Sequence, residues 1–323
     1  MLRLSFLCGL AGIVLATTLV AWYGAGAVLA AFAGAGVGIL WTSAFHIVPM
    51  VINARAWHVL IPGPRRPSLT FFTWTVWVRE AVNNLLPVAR IGGEVVSARL
   101  LMKRGLRKGP TIAGLVVDMT LCIVAQFFFT LLGLALLVHR TSDEQAIGLV
   151  AIGLVVTVPI VAVLGFVQRA GLFALLARIF RTLFGTKFDR IVGSAMSLDR
   201  AVHVVYRRRR RAVACCLLQF LASIVAAGES WIALHYLGHP IGFVDAVLLE
   251  ALTQAVASAA FVVPGAIGIQ EGGFLVFGGL LGLPSELALA LALVRRARDL
   301  LIYVPALLAW QLSEGRRWLA AAS

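Results

Sequence analysis

Residues 78–96, VREAVNNLLPVARIGGEVV, are too polar to cross a bilayer as a plain helix, yet they lie in a chain that is 61% hydrophobic and 13% charged. Arg79, Glu80, Asn83, Asn84, Arg90 and Glu94 crowd the stretch, and Pro87, Gly92 and Gly93 punctuate it. Charged, non-helical backbone is tolerated at membrane depth only where protein or a water-filled cavity shields it. Ionisable groups placed there mark function by default. The stretch therefore reads as half of a transport or lipid-handling site, turned around residues 87–93 as a re-entrant hairpin.

Soluble domains are about 45–50% apolar and about 25% charged, so a mean hydropathy of +0.96 points to a polytopic membrane protein. The net charge is +14, from 28 Lys and Arg against 14 Asp and Glu. In a soluble chain that excess would suggest nucleic acid. Here most of the cations fall in short connectors between apolar runs, as the positive-inside rule requires, and nucleic acid is not expected as a partner. Cys8, Cys122, Cys215 and Cys216 all sit in apolar runs, without the spacing of a metal site or a disulfide framework. The sequence contains no HExxH, GxSxG, P-loop, CxxC or Rossmann glycine pattern. No enzyme activity, metal or cofactor is expected.

About six spans follow from the apolar runs, at roughly 20 residues per crossing. They fall at residues 4–22, 36–59, 111–138, 146–167, 212–237 and 286–312. The first competes with a signal-peptide reading. Residues 244–281 resemble residues 78–96 in being apolar but broken, by Glu250, Pro264, Gly265, Gly268, Glu271 and Gly272 among others. Residues 168–211 form a basic amphipathic connector suited to the cytoplasmic leaflet. The charge distribution places both termini in the cytoplasm, with the chain in a bacterial inner membrane.

The two broken stretches share a spacing. Pro87 and Glu94 are offset by 177 residues from Pro264 and Glu271, and Asp118 is offset by 177 from Arg295. The same offset carries the span at 36–59 onto the one starting near 213. One domain over 1–323 is expected, with repeat halves at about 36–138 and 213–315 facing opposite ways. Inverted repeats with broken helices are a recurring transporter plan, with the site near the midplane between halves.

Candidate headgroup-binding residues are Arg79, Asn83, Asn84, Arg90, Glu94, Glu271, Arg295 and Arg298. Glu94 and Glu271 are expected near one central cavity, paired with these arginines, since an unpaired charge at that depth is costly. Such pairs could instead only lock the hairpins, and Asn83 and Asn84 could simply cap a hairpin helix. Pro87, Gly92, Gly93, Pro264, Gly265, Gly268 and Gly272 are read as turns and points of close approach. Asp118 and Glu229 are lone acids in spans, open to a proton-relay role or to a plain arginine partner.

The segments NNLLPVARIGGEVVSARLL, VVDMTLCIVAQ and PGAIGIQEGGFLVFGGLLGLP resemble the transmembrane-region family of lysylphosphatidylglycerol synthases, the flippase-like domain, and within it the hopanoid-biosynthesis-associated subgroup. Many relatives carry Glu-Arg in the span after the first hairpin, where this chain has Asp118-Met119. The resemblance implies a membrane domain that moves or handles lipids, with hopanoids or anionic phospholipids as partners, and with hopanoid biosynthesis proteins as possible company. The synthase members carry an appended soluble catalytic domain, for which the residues after Arg317 leave no room. Aminoacyl transfer is therefore not expected. The alternatives are a membrane scaffold for hopanoid enzymes and an intramembrane headgroup enzyme using Glu94 and Glu271.

Overall fold

The computed structural model describes residues 25–61, 66–86, 92–140, 200, 202–259 and 266–322. Among these the chain is helical and forms no strand. The helices are α1 (Ala25–Ala35), α2 (Gly38–Leu60), α3 (Leu69–Leu85), α4 (Gly92–Lys103) and α5 (Lys108–Arg140). After a short helical stretch at 202–207 come α6 (Arg209–Tyr236), α7 (Phe243–Ala259), α8 (Ile269–Leu280) and α9 (Ser285–Ala322). Pro87, Arg90, Pro264 and Gly265 lie outside the described residues, as do the expected spans at 4–22 and 146–167 and most of the basic connector.

The hydroxyl-rich runs can form helices because their side chains close on their own backbone. Thr42, Ser43, Thr73, Thr75, Thr111, Thr120 and Thr130 each donate to the carbonyl four residues back. Each such bond occupies the hydroxyl within its own helix. Ser68 starts α3, its Oγ accepting from the Phe71 N–H at 3.3 Å, as an N-cap serine does.

Shifting the first set of helices by 177 residues reproduces the second. By that shift α4 falls on α8 and α5 begins where α9 begins, while α2 and α3 fall within a few residues of α6 and α7. Both hairpins pair a helix of 17 residues with one of 12. Gly105 and Gly282, also 177 apart, make the turns after α4 and α8 with φ of 90° and 77°. An L side chain rarely adopts that backbone, so glycine serves there. The neighbours obey the same exchange: α2 packs on α6; α5 on α6 and α7, as α9 on α2 and α3; α3 on α2 and α4, as α7 on α6 and α8.

The α2–α6 contact is the centre of the molecule, and small residues set its closeness. A Cβ at Gly38 would collide with Tyr236, and one at Gly228 would meet the Phe45 ring at 2.8 Å. Gly133 on α5 lies likewise against Ala251 on α7. Small residues let helices approach closely where no water drives them together.

Among the described residues two helices, α5 and α6, are long and apolar enough to cross a membrane by length and composition. The sequence led to an expectation of about six, four of which fall on described residues. The helices α2 and α9 have the length, at 23 and 38 residues, but carry polar groups that lower their hydropathy, among them the buried Thr42, Ser43, Arg295 and Arg298. The outer faces carry large apolar side chains: Leu40, Trp41 and Ile47 on α2, Leu217 and Leu221 on α6, Leu300, Leu308 and Leu312 on α9. The interior holds Asp118, Glu229, Glu250, Glu271, Arg295 and Arg298. Apolar outside and charged inside reverses the usual arrangement of a soluble protein.

Candidate functional site

The buried charges gather in two arms. The first arm is built from α3, α4 and α5. Arg79 Nη1 donates to Asp118 Oδ2 at 3.1 Å and lies 3.7 Å from Glu94 Oε2, and its guanidinium stands over the Trp57 ring at 5.2 Å. Asp118 also accepts from Gln219 Nε2 at 3.0 Å and faces Cys215 Sγ at 3.7 Å, both from α6. Glu94 Oε1 has one long hydrogen bond, from Asn83 Nδ2 at 3.4 Å. Its Oε2 is buried with no hydrogen-bond donor among the described residues.

Asn83 joins the two legs of the first hairpin, because its Oδ1 accepts the Gly93 N–H at 2.9 Å. Gly93 has to be glycine, since a Cβ would collide with the Arg79 carbonyl and the Asn83 amide. The Asn84 amide donates to the Glu80 carbonyl in its own helix at 2.9 Å. Of the two asparagines, Asn83 thus caps the hairpin and Asn84 bonds locally.

The second arm is built from α6 to α9. Glu271 Oε2 accepts the Gly268 N–H at 2.7 Å, closing the first turn of α8, and its Oε1 accepts from Arg296 Nε at 2.9 Å. Gly268 has φ of 82°, which requires glycine. Gly272 faces open space, so no close approach depends on it. Glu250 is fully buried and takes hydrogen bonds from Arg295, from Ser230 Oγ at 3.0 Å and from Gln254 Nε2 at 2.8 Å. Arg295 also lies over the Phe274 ring at 5.5 Å.

The arms meet at His46 of α2. Its Nδ1 is 2.9 Å from Glu229 Oε1 and 2.8 Å from Arg298 Nη1; its Nε2 is 3.0 Å from the Tyr303 hydroxyl and 3.6 Å from Glu80 Oε2. Tyr303 in turn donates to Glu80 at 3.3 Å. Arg298 pairs with Glu229 and, through Nη2, with Asp299 Oδ1 at 2.8 Å. Glu80, next to Arg79 in α3, thereby links the first half to α9. Trp77 fixes the same joint, donating from Nε1 to the Ile302 carbonyl at 2.7 Å.

The pairing differs from the sequence expectation at several residues. Arg295 and Arg298 serve Glu250 and Glu229, while Glu271 belongs to Arg296. Glu94 and Glu271 sit in separate arms, each beside its own guanidinium. Asp118 and Glu229, open to two readings from the sequence, each have an arginine beside them: Asp118 has Arg79 with Gln219 and Cys215, and Glu229 has Arg298 with His46. His46, Glu80, Glu250, Arg296, Asp299 and Tyr303 were not singled out from the sequence as site residues. A signal was present for each of the ionisable ones, namely an ionisable group interrupting an apolar run. Across both arms seven carboxylates (Glu80, Glu94, Asp118, Glu229, Glu250, Glu271, Asp299) face four guanidiniums (Arg79, Arg295, Arg296, Arg298) among the described residues. A groove of about 880 Å³ opens elsewhere, on the flank of α5 and α6, bordered by Leu121, Tyr206, Arg207 and Cys216.

The family described as the lysylphosphatidylglycerol synthase TM region matches residues 9–307. The chain belongs to that family. A relative within reach is the UPF0104 membrane protein PH1989 of Pyrococcus horikoshii, 27% identical over 287 residues, which covers 84% of each chain. No solved structure matches. A family defined by its transmembrane region, the two long apolar helices and the charged interior together make this a membrane protein.

Proposed function

We propose that the protein moves a lipid across the membrane along the interface between its two halves, with hopanoids or their precursors as the lipid class. The observation that carries this reading is the pair of matching hairpins whose carboxylates, Glu94 and Glu271, each stand beside a guanidinium inside an apolar exterior. The legs of each hairpin would span only about 25 Å and about 18 Å at 1.5 Å per residue, short of the roughly 30 Å hydrocarbon core. We accordingly take α3–α4 and α7–α8 as re-entrant hairpins in an inverted repeat, with six full spans around them, in a bacterial inner membrane with both termini cytoplasmic.

In this reading the tails stay in the bilayer while the headgroup exchanges for ion pairs of the network. Glu94 is the point of exchange, since its Oε2 has no donor and its remaining contacts are long. Each arginine of the cluster already has a carboxylate, and carboxylates are in excess. A headgroup rich in hydroxyls or carrying an amine fits this balance better than a bare anion. No catalytic step is part of the proposal.

The test is a leaflet-resolved assay in proteoliposomes, with a fluorescent lipid as probe, comparing wild type with Glu94→Gln. Transbilayer movement accelerated by wild type and lost in the variant supports the reading. Equal rates with and without protein, for hopanoids and phospholipids alike, would sink it and leave a scaffold role for hopanoid enzymes.

A further inference from the structure

His46 stands where α2, α3, α6 and α9 meet, and its ring nitrogens have more partners than they can serve. Arginine only donates hydrogen bonds, and an ionised carboxylate only accepts them. Nδ1 lies within 3 Å of one of each, Arg298 Nη1 and Glu229 Oε1. With a proton, Nδ1 serves Glu229 and opposes Arg298; without one, it serves Arg298 and opposes Glu229. Nε2 faces Tyr303 and Glu80, whose oxygens both accept from an N–H. The ring state that satisfies Glu229, Tyr303 and Glu80 together is the imidazolium, protonated on both sides. That state turns Arg298 away, and Asp299 already holds its other nitrogen at 2.8 Å.

We propose that His46 is a proton-binding site at the junction of the two halves, and that loading it shifts Arg298 from α2 toward Asp299, coupling lipid movement to a proton. The coupling rests on the lipid-translocation reading; the proton site does not. One proton from the aqueous phase becomes one ring N–H, and no other covalent bond changes. The cluster meets its surroundings at Glu80, whose side chain is 20% exposed against 1% for Glu229.

The groups facing the ring come from every element around it. The first half contributes Glu80 and, beside it, Arg79 from α3. The second contributes Glu229 from α6, then Arg298, Asp299 and Tyr303 from α9. Behind these, Arg295 of α9 is neutralised by Glu250 of α7. The helix α1, packed on α6 and α9, has no titratable side chain. Because carboxylates exceed guanidiniums across the network, an added positive charge lowers its electrostatic energy.

The site explains why α2 carries a histidine on its packed face, beside Thr42 and Ser43. It also ties the two halves to a single titration, since α2 belongs to the first half and α6 and α9 to the second. A ligand shifts a two-state equilibrium only by its differential affinity for the states. Here the proton distinguishes them through Arg298.

Two measurements on the full chain test this. In the first, proteoliposomes of phosphatidylcholine and phosphatidylglycerol hold the fluorescent lipid probe, and a pH difference is imposed across the bilayer. Wild type should concentrate the probe in one leaflet, up to about tenfold per pH unit for one proton per lipid, while His46→Gln lets it equilibrate evenly. Wild-type movement that ignores the gradient, or a His46→Gln variant that still follows it, overturns the coupling and leaves translocation standing. If wild type moves no lipid, the translocation reading fails, and the second measurement decides the proton site. Nitrogen NMR of histidine-labelled protein in nanodiscs should show one imidazole, missing in His46→Gln, that changes protonation with pH. A ring fixed in one protonation state throughout, or no signal lost in the variant, overturns the site.

Discussion

Glu94 and Glu271 stand at the same register of two hairpins with the same lengths, and they are held in opposite ways. Glu271 is locked, accepting a backbone N–H at 2.7 Å and a guanidinium at 2.9 Å. Glu94 is loose, with an amide at 3.4 Å, a guanidinium at 3.7 Å and one oxygen lacking a donor. Backbone symmetry thus carries chemical asymmetry. In the proposed reading the second half acts as a frame, and the first as the part whose contacts are exchanged for those of a headgroup.

The largest expected effect comes from breaking the frame. Arg298→Met leaves Glu229 buried beside a histidine alone and should cost about 3–5 kcal/mol, the usual penalty for a stranded buried charge. Arg79→Met should cost less, because Asp118 keeps Gln219 and Cys215. Thermal unfolding of both variants in detergent checks the order. A larger loss for Arg79→Met would reverse the assignment of frame and exchangeable arm.

The carboxylates themselves sharpen the contrast. Glu271→Gln weakens charge-assisted bonds worth about 1.5–3 kcal/mol each, and should lower the melting temperature while sparing lipid movement per folded molecule. Glu94→Gln should change stability by less than about 1 kcal/mol and abolish lipid movement. Measuring both quantities on both variants separates the roles, and identical profiles would erase the distinction.

Glycines make a smaller, opposite pair. Gly93→Ala forces a methyl group against the Arg79 carbonyl and should destabilise by about 1–3 kcal/mol. Gly272→Ala adds its methyl in open space within α8 and should stabilise by about 0.5–1 kcal/mol. The smallest effect belongs to Arg140, which is 59% exposed where it pairs with Asp245. Arg140→Ala should leave the unfolding curve unchanged, since exposed ion pairs contribute little.

Much of this fold was readable from the residues in order. An apolar chain with charges gathered in connectors and in two broken stretches can only hide those charges from lipid. The 177-residue offset followed from Pro87, Glu94, Pro264 and Glu271, and the bounds of α4 and α8 carry the same offset. Of the candidate residues, Arg79, Asn83, Glu94 and Asp118 meet in one cluster, while Glu229, Glu271, Arg295 and Arg298 have partners within the second half or on His46.

Partnership was decided by the tertiary structure alone. Arg295, Arg296 and Arg298 follow one another along α9, and spacing in sequence cannot say which points at Glu250, Glu271 or Glu229. Helical rotation of about 100° per residue sends neighbours to different helices, so each arginine reads a different surface. The partners of His46 and Glu80 were hidden for the same reason, lying 183 and 223 residues away. Composition and order dictated that charge be buried, and packing across α2, α6 and α9 chose which charges meet.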